Sequence, residues 1–251
     1  MKQLILVLSL LIVGHCSKAQ NLDSLYTVWL DHNQADSARV TAYKLYIWNG
    51  YLFSRPDTVE LMAEALHNYA NKHNYPNASG TGYHLQGVAN AVQGNYPRGM
   101  ENYQKSLAIR EEIGDKKGIA SSLGNIGLIY SMQGNYPRAL EYFQKSLAIR
   151  KEIGEKRGIA SSLINIGNIY KDQGNNLRAL EYYQKSLAIE EEIGNKFGIS
   201  GSLGNIGSIY LNQGNYPRAL EYLQRSLVIL KEIGDKYGIA ACLTSIGKLY
   251  Q

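Results

Sequence analysis

The chain is poor in residues that build covalent or metal-bound frameworks. Its 251 residues include two cysteines. Cys16 falls in an N-terminal segment expected to be removed, which leaves Cys242 alone. An internal disulfide and a cysteine metal site are therefore both excluded, and Cys242 reads as a small buried helix residue. Charge of one sign is also scarce. The formal net charge is +5, and loss of Lys2 and Lys18 with the leader brings it to about +3. No basic stripe is present, so a nucleic-acid partner is excluded and the charges read as a solvated mixed surface. After the N-terminal segment no apolar run is long enough to span a membrane. His-Glu-x-x-His, a phosphate loop and Gly-x-Ser-x-Gly are all missing. Gly198-Ile199-Ser200-Gly201 lacks the spacing of a nucleophile turn. His15, His67, His73 and His84 do not cluster and read as surface or core residues, and the repeated Glu residues have Lys or Arg nearby, as solvated pairs do. No catalytic residue, metal or cofactor is implied.

What is present begins with a leader. Lys2 precedes an apolar run from Leu4 to Val13, and Ser17-Lys18-Ala19 supplies a small-x-small cleavage signal. Residues 1–19 therefore read as a signal peptide, and the mature chain as exported and periplasmic. Val13-Gly14-His15-Cys16 resembles a lipoprotein box in which His15 fits poorly, so membrane anchorage follows only if Cys16 is lipidated or the chain continues.

Hydrophobic residues make up 45% of the chain, enough for a core, and Tyr (20) far outnumbers Phe (3). The chain then repeats itself at an offset of 40 residues: SSLGNIGLIYSMQGNYPRALEYFQKSLAIRKEIG from Ser121 returns in altered form from Ser161 and Gly201. A weaker copy starts near Thr81, and a half copy runs from Ala241. Each unit reads as two helices. Leu123, Ile126, Gly127 and Tyr130 form one face of helix A. Gly134 stops that helix, and Asn135 with Pro137 starts helix B. Helix B is expected to turn Ala139, Leu140, Phe143, Ser146, Leu147 and Ile153 inward and to carry an exposed Glu141–Lys145 pair. Glycine inside a helix costs about 1 kcal/mol against Ala, so its return at Gly87, Gly127, Gly167, Gly207 and Gly247 needs a packing reason. The facing Ala139, with Ala179 and Ala219 in later copies, suggests close helix approach.

These residues resemble the tetratricopeptide (TPR) family. Leu123, Ile126, Gly127, Tyr130, Ala139, Phe143 and Ser146 follow its pattern. Leu163, Ile166, Gly167, Tyr170, Ala179, Tyr183 and Ser186 follow it again. So do Leu203, Ile206, Gly207, Tyr210, Ala219 and Ser226, with Leu223 replacing the aromatic. The long repeats without a closing Pro are similar to those of kinesin light chain and the Leu-Gly-Asn repeat polarity proteins. The resemblance implies an all-α, right-handed superhelical solenoid of antiparallel helix pairs. It would comprise a helical cap and degenerate repeat over 20–78 and a TPR array over 79–251, with repeats from near 79, 119, 159 and 199 and a half repeat from 239. Within 20–78, helices are expected from about Asp23 to Asn33, from Ser37 to Phe53 with Asp36 as N-cap, and from Asp57 to Asn71, where Val59, Met62, Ala63 and Leu66 share a face.

Positions that vary between copies are free of the scaffold. They are Gly124/Ile164/Gly204/Thr244, Leu128/Asn168/Ser208/Lys248, Ser131/Lys171/Leu211 and Met132/Asp172/Asn212, all on one face of helix A. In the resembling family that face lines a concave groove that holds a peptide or protein. Beside it Asn125, Asn165 and Asn205 recur although Asn is a mediocre helix former. An amide both donates and accepts, which suits a peptide backbone. The resemblance assigns such an asparagine ladder to the ligand main chain; a structural hydrogen bond between repeats is the other reading.

Three functions compete. The first is an exported adaptor for peptides or proteins. The second is the sensory half of a longer signalling protein, since the leader and long repeats resemble exported TPR sensors of Bacteroidetes-type bacteria that continue into a kinase, cyclase or DNA-binding module. The third is self-association through the open end, where Cys242, Leu243, Ile246 and Tyr250 would lack a helix B.

Overall fold

The computed structural model describes residues 22–250. The expected signal peptide, with Cys16 and His15, lies outside the described residues. Among the described residues α-helix is the only extended element, apart from a 3-10 turn at Lys248–Tyr250. The helices are α1 (Leu22–Leu30), α2 (Asp36–Gly50), α3 (Pro56–His73), α4 (Pro76–Val92), α5 (Tyr96–Glu112), α6 (Lys116–Met132), α7 (Tyr136–Glu152), α8 (Lys156–Asp172), α9 (Asn176–Glu192), α10 (Lys196–Asn212), α11 (Tyr216–Ile233) and α12 (Lys236–Gly247). Two compact units divide them, the first ending at Ile149 and the second beginning at Arg150.

From α4 onward the chain is punctuated every 20 residues. Gly94, Gly114, Gly134, Gly154, Gly174, Gly194, Gly214 and Gly234 all have φ between 64° and 78°. A side chain would strain that left-handed backbone, and glycine enters it freely. In six of these eight turns the next residue caps the following helix with its side chain; Glu155 and Asn195 stand at the N-cap without that bond. Asn95, Asn135, Asn175 and Asn215 accept the backbone N–H of Arg98, Arg138, Arg178 and Arg218 at 3.2–3.4 Å. Asp115 and Asp235 accept from Gly118 and Gly238 at 2.9 and 3.0 Å. Gly134 and Asn135 thus do what their residue types predict. Ile153, expected inward, sits in the turn after α7 and is 36% exposed.

The unit ending at Ile149 starts with an aromatic cluster. Trp29 stacks on Tyr43 at 4.4 Å and tilts against Tyr69 at 4.8 Å. Buried Arg39 lies over the Tyr69 ring and donates from Nε to the Trp29 carbonyl at 2.9 Å, so its charge is both hydrogen-bonded and over a π face. Val59, Ala63 and Leu66 are buried as their spacing predicts. Asp36 is not the N-cap of α2. It stands in the first turn, where its Oδ1 accepts the Tyr69 hydroxyl at 2.6 Å.

Within the repeats the glycines leave room for a large helix B side chain, a ring in two of the three units. A Cβ on Gly127 would lie 2.9 Å from Phe143, on Gly167 2.7 Å from Tyr183, and on Gly207 2.8 Å from Leu223. Each neighbour is a fully buried helix B residue, so even Ala is too large; at Gly247 nothing lies within 4 Å. The facing Ala139, Ala179 and Ala219 are fully buried. One turn above that side chain, Ser146, Ser186 and Ser226 donate to the helix A carbonyls of Ala120, Ala160 and Ser200 at 2.7, 3.1 and 2.9 Å. A small hydroxyl residue is needed there to fit and to satisfy itself. Tyr130, Tyr170 and Tyr210 stack on Tyr142, Tyr182 and Tyr222 at 5.5–5.7 Å. Cys242 is buried, its thiol 3.1 Å from the Leu223 carbonyl, whereas Leu243 and Tyr250 are exposed.

Candidate functional site

Each helix A is buried on more of its circumference than the i, i+3, i+4, i+7 pattern suggests. In α6, Ala120, Ser122, Leu123, Ile126, Gly127 and Ile129 are all buried. The accessible remainder is a narrow strip. On each helix separately it comprises Asn125, Leu128 and Met132 in α6, Asn165, Asn168 and Asp172 in α8, and Asn205, Ser208 and Asn212 in α10.

The recurring asparagines are partly exposed, and their carboxamides make no hydrogen bond with the described residues. The inter-repeat hydrogen bond that would have made them scaffold residues is not formed. Each leaves a two-proton donor and an acceptor available at the surface.

Two of the variable positions are less free than variability suggests. Ile164 is 2% exposed and packs with Ala179, Tyr183, Ile206 and Tyr210. Its counterparts Gly124 and Gly204 point toward Ser146 and Ser226, at 3.5 and 3.7 Å from an added Cβ. The position therefore faces helix B, and it varies because the gap there can be filled or left small. Asn168 also serves the scaffold, since its Oδ1 accepts the hydroxyl of fully buried Tyr183 at 2.7 Å. The pairing changes from repeat to repeat: Leu128 accompanies Phe143, which has no hydroxyl, and Ser208 accompanies Leu223 and bonds the Gly204 carbonyl at 2.9 Å. Desolvation raises the Asp172 carboxyl above its ordinary range.

Sequence reasoning missed the last turn of helix B. Arg110, Glu190 and Leu230 are buried there, and Arg150 is nearly so. Each side chain folds over a glycine at the start of the next helix A, where a Cβ on Gly118, Gly158, Gly198 or Gly238 would lie 2.0–2.5 Å from it. Arg110 pairs with Asp115, Arg150 with Glu155 at 3.4 Å, and Glu190 accepts the Asn195 amide at 2.7 Å. Burial pushes the Glu190 carboxyl up, although the Asn195 hydrogen bond and Arg157 oppose it. So not every Glu of helix B is a solvated surface acid. The visible signal was the unexplained first-turn glycine eight residues downstream.

Among the described residues no group of three or more His, Cys, Asp or Glu could hold a metal ion, and no helix is long and apolar enough to cross a membrane.

A model of the tetratricopeptide repeat matches residues 79–152, 133–192, 158–232 and 198–251. The chain belongs to the tetratricopeptide repeat family. Comparison with curated proteins finds no match. Solved TPR structures share the fold. BtubC (BKLC) from P. vanneervenii is 17% identical with a TM-score of 0.68, covering 79% of this chain and 83% of that one. A Rap protein complexed with Competence and Sporulation Factor is 15% identical with a TM-score of 0.64, covering 91% and 69%. Kinesin light chain-like TPR repeats from Podosopora anserina are 15% identical with a TM-score of 0.55, covering 86% and 100%.

Proposed function

We propose that the protein is an exported, periplasmic scaffold that binds a peptide or protein segment along the accessible strips of its helices A. The observation that carries this reading is the set of unbonded, partly exposed carboxamides of Asn125, Asn165 and Asn205. An extended ligand offers alternating N–H and C=O groups at its main chain, and a carboxamide can answer both. Leu128, Ser208, Met132, Asp172 and Asn212 differ between copies and would read the ligand's side chains, with Asn168 contributing the amide protons that Tyr183 leaves unused. A protein of this fold, a Rap protein, has been solved in complex with Competence and Sporulation Factor, which supports this reading. Export rests on the leader read from residues 1–19.

The test begins with selection of binders to residues 20–251 from a displayed peptide library. Calorimetry then compares wild type with the Asn165→Ala, Asn205→Ala double variant. At about 1 kcal/mol per net hydrogen bond, two losses weaken binding roughly 30-fold, with helicity and melting temperature unchanged. Loss of helicity at unchanged affinity would assign the asparagines to the scaffold instead. For localisation, residues 1–19 fused to a reporter carry it to the periplasm; retention in the cytoplasm refutes export.

A further inference from the structure

A cavity of about 220 Å³ opens in the unit that ends at Ile149, between α2, α4, α5 and α6. Its wall holds three cations, Lys44, Arg110 and Lys117, together with His84, Thr81 and a single carboxylate, Asp115. That carboxylate is already committed: Oδ2 pairs with Arg110, and Oδ1 accepts the Gly118 amide at 2.9 Å. Lys44 reaches the cavity from α2 and has no ion-pair partner among the described residues. His84 is 8% exposed, and its Nδ1 is buried with no hydrogen-bond partner.

An unsatisfied buried polar atom costs about 1–3 kcal/mol, so a histidine here needs a reason. The scaffold does not supply one. Position 84 is occupied by Gly124, Ile164 and Gly204 in the later repeats, and those repeats pack without an imidazole. An ammonium group without an ion-pair partner, such as that of Lys44, needs a counter-charge in a partly enclosed space. A cationic occupant would meet Lys44 and Arg110, and an apolar one would leave the donors unmet.

We infer that this cavity is an oxyanion site, taking a carboxylate or phosphoryl group against the Lys44 ammonium group with one hydrogen bond from the His84 ring. The imidazole serves as a neutral donor, because burial, reinforced by Lys44 and Arg110, holds its proton affinity well below the usual histidine range. The same environment lowers the proton affinity of Lys44: desolvation is the main cause, and Arg110 and Lys117 add to it against the opposing pull of Asp115. A bound anion relieves both. The site stands independently of the asparagine strip.

The test is NMR of the mature chain with labelled histidine side chains. Inorganic phosphate and acetyl-glutamate amide are titrated at constant ionic strength, with chloride as the control. The His84 resonances shift saturably at millimolar concentrations with at least one oxyanion and not with chloride. Lys44→Met raises the dissociation constant about tenfold or more, and Lys44→Arg restores it. Tighter phosphate binding marks a free oxyanion as the occupant, and tighter acetyl-glutamate amide binding marks an acidic residue of a chain; both support the site. No saturation with either probe, or equal saturation in Lys44→Met, overturns it. As a second measure, phosphate raises the melting temperature of wild type above the chloride value and leaves His84→Ala unmoved; an equal rise in both overturns the site. The Asn165→Ala, Asn205→Ala variant keeps wild-type phosphate binding, so failure of the strip and failure of the cavity are read separately.

Discussion

Of the four glycines in helix α10, Gly201, Gly204 and Gly207 should respond to alanine with opposite signs. At Gly201 an added Cβ meets nothing within 4 Å, and at Gly204 it meets only the Ser226 hydroxyl at 3.7 Å. At Gly207 it would lie 2.8 Å from Leu223 Cγ, 3.0 Å from Cδ2 and 3.4 Å from the Ala219 carbonyl. Leu223 is almost wholly buried, and Cγ is not a free chain end, so the ring of contacts has nowhere to move. The helix-propensity gain of alanine over glycine, about 1 kcal/mol, is common to all three sites. Overpacking a filled core costs about 1–3 kcal/mol and, of these three sites, applies at Gly207. Gly201→Ala and Gly204→Ala should therefore stabilise by up to about 1 kcal/mol, and Gly207→Ala should be neutral or destabilise by up to about 2 kcal/mol. The difference between the variants, about 1–3 kcal/mol, isolates packing because the propensity term cancels. For a chain of this size each kcal/mol moves the melting temperature by about 2–4 °C. Urea unfolding followed by circular dichroism reads the ranking, and hydrogen exchange of the α10 and α11 amides places it locally, since long repeat arrays can depart from two-state behaviour. If Gly207→Ala stabilises as much as Gly201→Ala, the glycine is not there to admit Leu223, and the proposed reason for its recurrence fails.

Tyr183→Phe removes the hydroxyl that Asn168 accepts and should cost about 1 kcal/mol in denaturant unfolding. Adding Asn168→Leu recreates the Phe143–Leu128 pair and should recover most of it, and a strictly additive double variant would show the two side chains to be uncoupled. Glu190→Gln should stabilise the protein at neutral pH, because burial raises the folded-state carboxyl above its ordinary value. The sign follows from linkage: the folded protein takes up its proton before the unfolded chain does, so wild type gains relative stability as pH falls through the folded value, and the advantage of Gln shrinks there. A Glu190→Gln advantage that grows on acidification would contradict this.

The helical hairpins were legible because their signals are local. Apolar spacing along Leu123, Ile126, Gly127 and Tyr130, the Gly134 stop and the Asn135 cap each act within one turn of chain, and each appears in the structure. The accessible asparagines were legible too, since a poor helix former kept at one register asks for a use. Variability misled at Ile164 and Asn168, where the varying side chain answers a varying partner on the facing helix; Tyr183 with Asn168 and Phe143 with Leu128 change together. The buried ends of Arg110 and Glu190 were hidden because a charged residue in a last helical turn reads as solvated, and only the glycine of the next helix reveals that it is roofed over. The oxyanion cavity was beyond sequence reading, since Lys44 joins His84 and Arg110 only through tertiary folding.

The left-handed glycines at twenty-residue intervals have a bearing on how such a chain can change length. A single inserted residue inside a helix would rotate everything beyond it by about 100°, sending ring-facing glycines to solvent and caps out of reach of their amides. Growth or loss without repacking must come in whole two-helix blocks that begin and end at equivalent turns. Any ligand site built along these helices would then lengthen in discrete steps, each bringing another carboxamide, while its side-chain selectivity could drift one substitution at a time.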